Sequence, residues 1–411
     1  MIFLVAIAAL TLCGLVLLAI PYVRALDVAA QLSVAFGGGM LIATVVMFAL
    51  TMVHVTWSRT LLIVIFVLIG VCGAAALGGA LRRGRRSHIS LILIPIAITL
   101  YGVLDARETC GDFLLFWGPK AVHFAFAGRI DTDFLAFPFH YLMHPDYPPL
   151  LTLVYAWGAM AAHAFSWWGA LALTPLLLFA SVLAFRGIAA RAIGERNANL
   201  YALLLVSVLA FAYEIGPVAG AGEPPLIFFE TLAIAALTFA PSDRGAMLIA
   251  SLMSAAAVLT KVEGTMFTVI LLIAYVMSQR RIKPAIAMAI PPAIALGAWL
   301  LFVRHYRLLD IYAARPPHYE NLGKVIVHLF GNLAAYDMYF LPWIAMLAPM
   351  IFARNFRRAS MPLLVTAGSL AAAVYVYCHM PDPTFFMDSS AHRLLLTPLM
   401  SLSVATAAAS E

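Results

Sequence analysis

Residues 60–105 read TLLIVIFVLIGVCGAAALGGALRRGRRSHISLILIPIAITLYGVLD. An arginine turn, Arg82, Arg83, Arg85 and Arg86, separates two runs that are almost wholly apolar. Each run approaches the roughly 20 residues that a helix needs to cross a hydrocarbon core. Comparable runs recur from Met1 almost to Glu411, with no polar stretch large enough for an independent soluble domain. Of 411 residues, 64% are hydrophobic and 11% charged, with a mean hydropathy of +0.98. A soluble chain is about half apolar and a quarter charged, so a soluble fold is excluded. Inside a bilayer the backbone must satisfy its own hydrogen bonds, which makes apolar runs of this length helices. The fold class is an all-α polytopic membrane protein.

Orientation follows from Lys and Arg, which stay cytoplasmic in short loops. With Arg82 to Arg86 inside, helices near 2–23, 30–53, 60–81 and 89–105 leave the N-terminus and an external loop, 105–147, outside. The next apolar run, 148–165, would carry Arg186, Arg191 and Arg196 outside if it crossed. It therefore reads as an interfacial or re-entrant helix, which protein packing permits at membrane depth. Crossings resume at 167–186, 198–216, 224–240, 245–260, 264–279, 284–303, 338–353, 361–378 and 393–409, about thirteen spans in all. This places 15 of the 25 Lys and Arg inside, and every acid except Asp27, Glu195, Asp243 and Glu411 outside or at an outer helix end. The first run lacks a basic start and a small-x-small cleavage site and is expected to persist as a helix. The four cysteines show no metal-ligand spacing.

Asp131, Asp133, Asp310 and Glu320 read as solvated loop carboxylates. Glu223, Glu230, Lys261 and Glu263 differ, because they lie in or against apolar helices, where an ionisable group is expensive and points to function. The competing reading is a structural ion pair of Lys261 with Glu223 or Glu263.

The external loop contains Gly111-Asp112-Phe113-Leu114-Leu115-Phe116-Trp117-Gly118-Pro119-Lys120-Ala121, and further on His144-Pro145-Asp146-Tyr147-Pro148-Pro149. Gly222-Glu223-Pro224-Pro225, Thr260-Lys261-Val262-Glu263-Gly264 and His392-Arg393 follow in order. Together these segments resemble bacterial membrane glycosyltransferases of the GT-C superfamily, in the branch of protein O-mannosyltransferases and aminoarabinose transferases. The resemblance spans roughly residues 100 to 400, and the family commonly has Asp where this chain has Glu223. It implies a GT-C-like catalytic module over 89–411, with external loop 105–147 and interfacial helix 148–165, preceded by accessory transmembrane helices in 1–88. It also implies a polyprenyl-phosphate-linked sugar donor, transfer with inversion to a glycan, glycolipid or protein acceptor, and a site on the external face of a bacterial inner membrane. The matched residues are Asp112 as base, with Lys120, His144, Asp146, Tyr147, Glu223, Lys261, Glu263 and Arg393 contacting substrate.

The residues themselves agree with such chemistry. Asp112 heads an external amphipathic segment directly after a membrane helix, at the level where a lipid-linked sugar sits. A general base must reach the acceptor hydroxyl within hydrogen-bonding distance. Lys261 and Arg393 lie at outer helix ends at one depth, suited to a phosphate on which charge develops; the alternative for Arg393 is a snorkelling anchor. No Gly-rich nucleotide loop or nucleic-acid signature is present, and the bilayer lipids are the other expected partner. No cofactor is assigned, and a divalent cation stays open. A transporter or flippase would show internal repeats with helices broken at the midplane. A ligase or polymerase using a diphosphate-linked glycan would share the lipid-linked donor. The sugar and the acceptor are not readable.

Overall fold

The computed structural model describes residues 1–81, 111–215, 219–308, 316–335, 340–352 and 355–410. Every described segment is helix or connecting turn, with no strand among the described residues. The helices are α1 (Ile2–Gly14), α2 (Val28–Met52), α3 (Arg59–Leu81), α4 (Gly118–Ala127), α5 (Leu150–Ala162), α6 (Trp167–Ile215) and α7 (Glu223–Phe239). They continue with α8 (Arg244–Thr260), α9 (Val262–Gln279), α10 (Ile282–His305), α11 (Leu322–Ala335), α12 (Phe356–Cys378), α13 (Pro383–Leu394) and α14 (Leu396–Ala409). Six described helical stretches are long and apolar enough to cross a membrane, and shorter apolar helices pack among them. The chain is an integral membrane protein.

The turns sort into two ends of the bundle. At one end, Ile130 N donates to Thr51 Oγ1 at 3.3 Å, Trp157 Nε1 to Ala6 O at 2.9 Å, and Trp299 Nε1 to Asp146 O at 2.7 Å. In the middle of α5 Tyr155 donates to Gly220 O at 3.1 Å, and just beyond its last residue His163 contacts Arg59. Its thirteen residues rise about 20 Å, short of a hydrocarbon core of roughly 30 Å. Eleven of the thirteen are buried, so α5 packs inside protein rather than lying along a surface.

The opposite end collects arginines. Arg186, 2% exposed, donates Nε to Asn199 Oδ1 at 2.8 Å and pairs with the carboxylates of Asp27 and Glu195. Asp27 also caps α2, accepting from Ala30 N at 2.8 Å, so one carboxylate satisfies a helix start and a buried guanidinium together. Arg191 lies over the Tyr22 ring at 5.2 Å.

Several sequence boundaries shift. The crossings 167–186 and 198–216 are two separate helices within α6, which meet at Gly194, where φ of 80° and ψ of 160° end one spiral and start the next at a residue without Cβ. In the described part of the segment 338–353, residues 340–352, stand a seven-residue helix, Leu341–Leu347, and a 3-10 turn, Ala348–Phe352. The last crossing divides at Leu395 into α13 and α14. Helices α11 and α13 were not legible as elements: Val325, Leu329, Met387 and Ala391 pack with Tyr377 into a small second core. The arginine turn 82–86 and the helix 89–105 lie outside the described residues.

Replacing Arg186 with Met leaves two carboxylates without their guanidinium, one of them deeply buried. Breaking a buried pair costs about 3–5 kcal/mol, so R186M should unfold at a clearly lower temperature in detergent. Adding Asp27→Asn and Glu195→Gln should recover part of the loss. Wild-type stability in R186M would show that this network does not hold the two halves of α6 together.

Candidate active site

The site is built where helices start and stop at the end of the bundle opposite the arginines. Between α8 and α9, Lys261 is a single extended residue, with φ of −158° and ψ of 158°, and this break turns its side chain inward. Gly264 makes the tight passage possible, because a Cβ there would lie 2.1 Å from Ala257 O. Glu223 is the first residue of α7, where the exposed amides of a helix start favour an anion.

Lys261 Nζ lies 2.8 Å from Glu223 Oε1 and 3.0 Å from Glu263 Oε1. Burial opposes its charge, but the two carboxylates outweigh burial and hold the lysine protonated well above its ordinary range. Arg393, in the last turn of α13, pairs with Asp112 and reaches Glu223 Oε1 at 3.4 Å. The result is an alternating row: Glu263, Lys261, Glu223, Arg393, Asp112.

Asp112 immediately precedes a π-helical turn, Phe113–Trp117. Such widened turns are rare and concentrate at functional sites. Here the turn sends Phe113 against Gly220 and Trp117 against Gly222. A Cβ on Gly220, whose φ is already +78°, would meet Phe113 at 2.6 Å; one on Gly222 would meet Trp117 at 3.0 Å and Lys261 at 3.3 Å. The bare backbone of 220–222 thus lets an aromatic ring and an ammonium share one wall.

These residues head a narrow cleft of about 40 Å³ between α9 and α12. Its top is charged, with Glu223, Lys261, Glu263 and Arg393. Its lower walls are apolar or small: Met266 and Ile270 from α9, Ala372, Ala373 and Val376 from α12. Ile270 lies eight residues into α9, so the cleft descends about 12 Å along the helix. Buried polar atoms without a hydrogen-bond partner among the described residues gather along it: Glu223 Oε2, Glu263 Oε2 and Ser369 Oγ. Polar atoms left this way are rare in finished cores, because each forfeits its hydration. Beneath the top, Thr397 donates to Glu230 Oε2 at 2.6 Å, placing a fully enclosed carboxyl seven residues below Glu223.

The expected residues therefore divide into two groups. Asp112, Glu223, Lys261, Glu263 and Arg393 come together. Lys120, His144, Asp146 and Tyr147 form a neighbouring group behind Trp117 and do not line the cleft. Lys120 is 2% exposed, donates to His144 O at 3.1 Å, and sits 5.0 Å from the Trp117 ring centroid and 5.4 Å from that of Phe116. Burial pushes its pKa down to about 7, against the nearby charge of Asp146. His144 stacks on Tyr147 with ring centroids 4.4 Å apart, and Tyr147 lies 5.9 Å from Trp117. This group shapes the loop that backs the site. Thr397 and Ser369, which do line the cleft, carried no signal in the sequence, being ordinary hydroxyl residues inside apolar helices. Among the described residues no three His, Cys, Asp or Glu side chains are arranged to hold a metal ion.

No family model matches the chain, and no curated protein sequence does. Among solved structures, ArnT from Cupriavidus metallidurans, in a crystal structure bound to undecaprenyl phosphate, matches with a TM-score of 0.51 at 15% identity. The match covers 78% of this chain and 60% of ArnT, so the chain spans less than two thirds of that neighbour's length. At this identity the likeness shows the fold alone: the all-helical polytopic membrane architecture expected from the sequence is shared with ArnT.

The ion pair at the centre of the site has a stability consequence. Lys261→Met leaves Glu223 and Glu263 without their shared ammonium and should lower thermal stability by about 3–5 kcal/mol, as for other broken buried pairs. Combining it with Glu223→Gln should restore part of that. An unchanged unfolding temperature for K261M would show that the pair does not anchor α7 to the α8–α9 break.

Proposed function

We propose that the protein is a membrane glycosyltransferase that moves a monosaccharide from a polyprenyl-phosphate donor to an envelope glycan, glycolipid or protein acceptor. The observation that carries this reading is the cleft itself: two cations at its mouth, and below them a narrow apolar descent between α9 and α12. That is the profile of a phosphate head on a hydrocarbon tail. Undecaprenyl phosphate bound to the structural neighbour supports the same ligand class.

In this reaction Lys261 and Arg393 hold the donor phosphate, and fixed cations at a partly enclosed site stabilise the charge that grows there as the sugar leaves. The acceptor hydroxyl oxygen bonds to the anomeric carbon from the face opposite the phosphate. The bond from that carbon to the phosphate oxygen breaks, its electron pair leaves with the polyprenyl phosphate, and Asp112 takes the hydroxyl proton. One displacement gives inversion. Glu223 Oε2 and Glu263 Oε2 are placed to accept hydrogen bonds from sugar hydroxyls. The membrane is a bacterial inner membrane with the site on its external face, residues 89–411 are the catalytic module, and 1–88 are accessory.

Asp112→Asn keeps size and polarity and removes the base. With a panel of labelled polyprenyl-phosphate and polyprenyl-diphosphate sugars, transfer should fall by about 10² to 10⁴, the usual general-base contribution, while donor binding persists. Turnover near wild type would remove Asp112 from the role, and use of only the diphosphate donors would favour a ligase.

The two-ended arrangement also gives a topology that can be measured. Single cysteines at Ala162 and Asn197, on a background without native cysteines, should differ in intact cells: an impermeant thiol reagent should label position 162 and not 197. Strong labelling at 197 would overturn the orientation from α6 onward.

A further inference from the structure

The row of alternating charges raises a problem for the proposed base. The Asp112 carboxylate is engaged by Arg393, the same guanidinium that the donor phosphate needs. Three carboxylates, Asp112, Glu223 and Glu263, face two cations, Lys261 and Arg393, so an arriving phosphate must compete with a carboxylate for its cation. Which carboxylate yields is decided by solvation. Glu223 has 4% of its side chain exposed and touches both cations; Asp112 has 27% exposed and, among the described residues, pairs with Arg393. An ion removed from its partner while buried loses the interaction that offset its lost hydration, whereas one that water can reach is rehydrated and loses little. Glu223 therefore stays, and Asp112 is the partner that can let go.

Resting on the donor assignment above, we propose that Arg393 is an exchangeable partner: the donor phosphate takes its guanidinium from Asp112, and only then is that carboxylate presented to the acceptor hydroxyl. Donor binding and activation of the base become one event. The guanidinium suits this exchange because its five donors in a planar fork engage carboxylate and phosphate alike. The sequence of contacts also imposes an order. Donor enters first, since without phosphate on Arg393 the acceptor would meet an Asp112 oxygen already accepting a hydrogen bond. After transfer the proton resides on Asp112, which in that state attracts Arg393 weakly. The lipid phosphate therefore retains Arg393 until Asp112 gives up its proton, and return of Arg393 to Asp112 accompanies product departure. A clamp that served only to bind phosphate would not need its arginine paired to the base.

The test measures the reactivity of Asp112 itself. Purified protein in phosphatidylcholine nanodiscs is treated with a carbodiimide and an amine, with or without undecaprenyl phosphate, and labelling at Asp112 and Glu223 is read by peptide mass spectrometry. Binding of the lipid is measured separately as a rise in unfolding temperature. Lipid binding should raise Asp112 labelling several-fold while Glu223, still held by Lys261, stays protected. Arg393→Met should raise Asp112 labelling without lipid, and lipid should then add nothing; the wild-type comparison stands even if that variant folds poorly. A rise with inorganic phosphate as well would support the exchange and attribute it to the headgroup alone. Asp112 labelling that stays level or falls while the lipid demonstrably binds would overturn the exchange, as would a rise at Glu223 instead. If undecaprenyl phosphate produces no binding shift at all, the donor reading fails, and the exchange falls with it.

Discussion

Everything at the site end of this protein is arranged around one buried ammonium. Lys261 occupies the single residue at which α8 stops and α9 begins, and a cation taken from water needs partners close enough to offset its lost hydration. Glu223 supplies one from the start of α7 and Glu263 another from the first turn of α9. Once Glu223 is committed to Lys261, its oxygen also reaches Arg393, and Arg393 reaches Asp112 across 281 positions of sequence. Four separated segments are thereby drawn to one point by charge alternation, with the helix break as the origin.

The charge networks at the two ends of the bundle differ in how completely their polar atoms are satisfied. Around Arg186 the acids, amide and guanidinium satisfy one another, and one carboxylate caps a helix as well. That network closes the fold across the Gly194 break and has little capacity left. Around Lys261, by contrast, Glu223 and Glu263 each keep an oxygen without a partner among the described residues, and those oxygens line a cleft. Unused hydrogen-bonding capacity beside apolar walls is what an amphiphilic ligand can complete. The aromatic rings of Trp117, Tyr147 and His144, with Lys120 enclosed behind them, pack against the π-turn that Asp112 precedes.

Glycine placement makes the same distinction on a smaller scale. Gly222 and Gly264 do not shape loops of their own; they remove a Cβ where a ring, an ammonium or a carbonyl must pass. Such contacts are invisible to any periodicity, since what matters is the atom on the other side.

How much could be read in advance follows from how each feature is encoded. Membrane character, the all-helical class and most helix positions come from local hydrophobicity, a property of each stretch by itself, and these emerged from the sequence alone. So did Glu223, Lys261 and Glu263 as candidates, because a charge beside an apolar run is conspicuous wherever it lies, while Asp112 and Arg393 came forward through the motif resemblance and their place at outer helix ends. The sequence could not say that Lys120 is enclosed away from them, that α11 and α13 exist as a packed pair, or that Thr397 and Ser369 enter the cleft. Those are outcomes of long-range packing, decided by which faces meet. Nor could it reveal that Arg393 is paired with Asp112: a side chain's chemistry is written at its own position, but its partner is chosen only when distant helices come into contact.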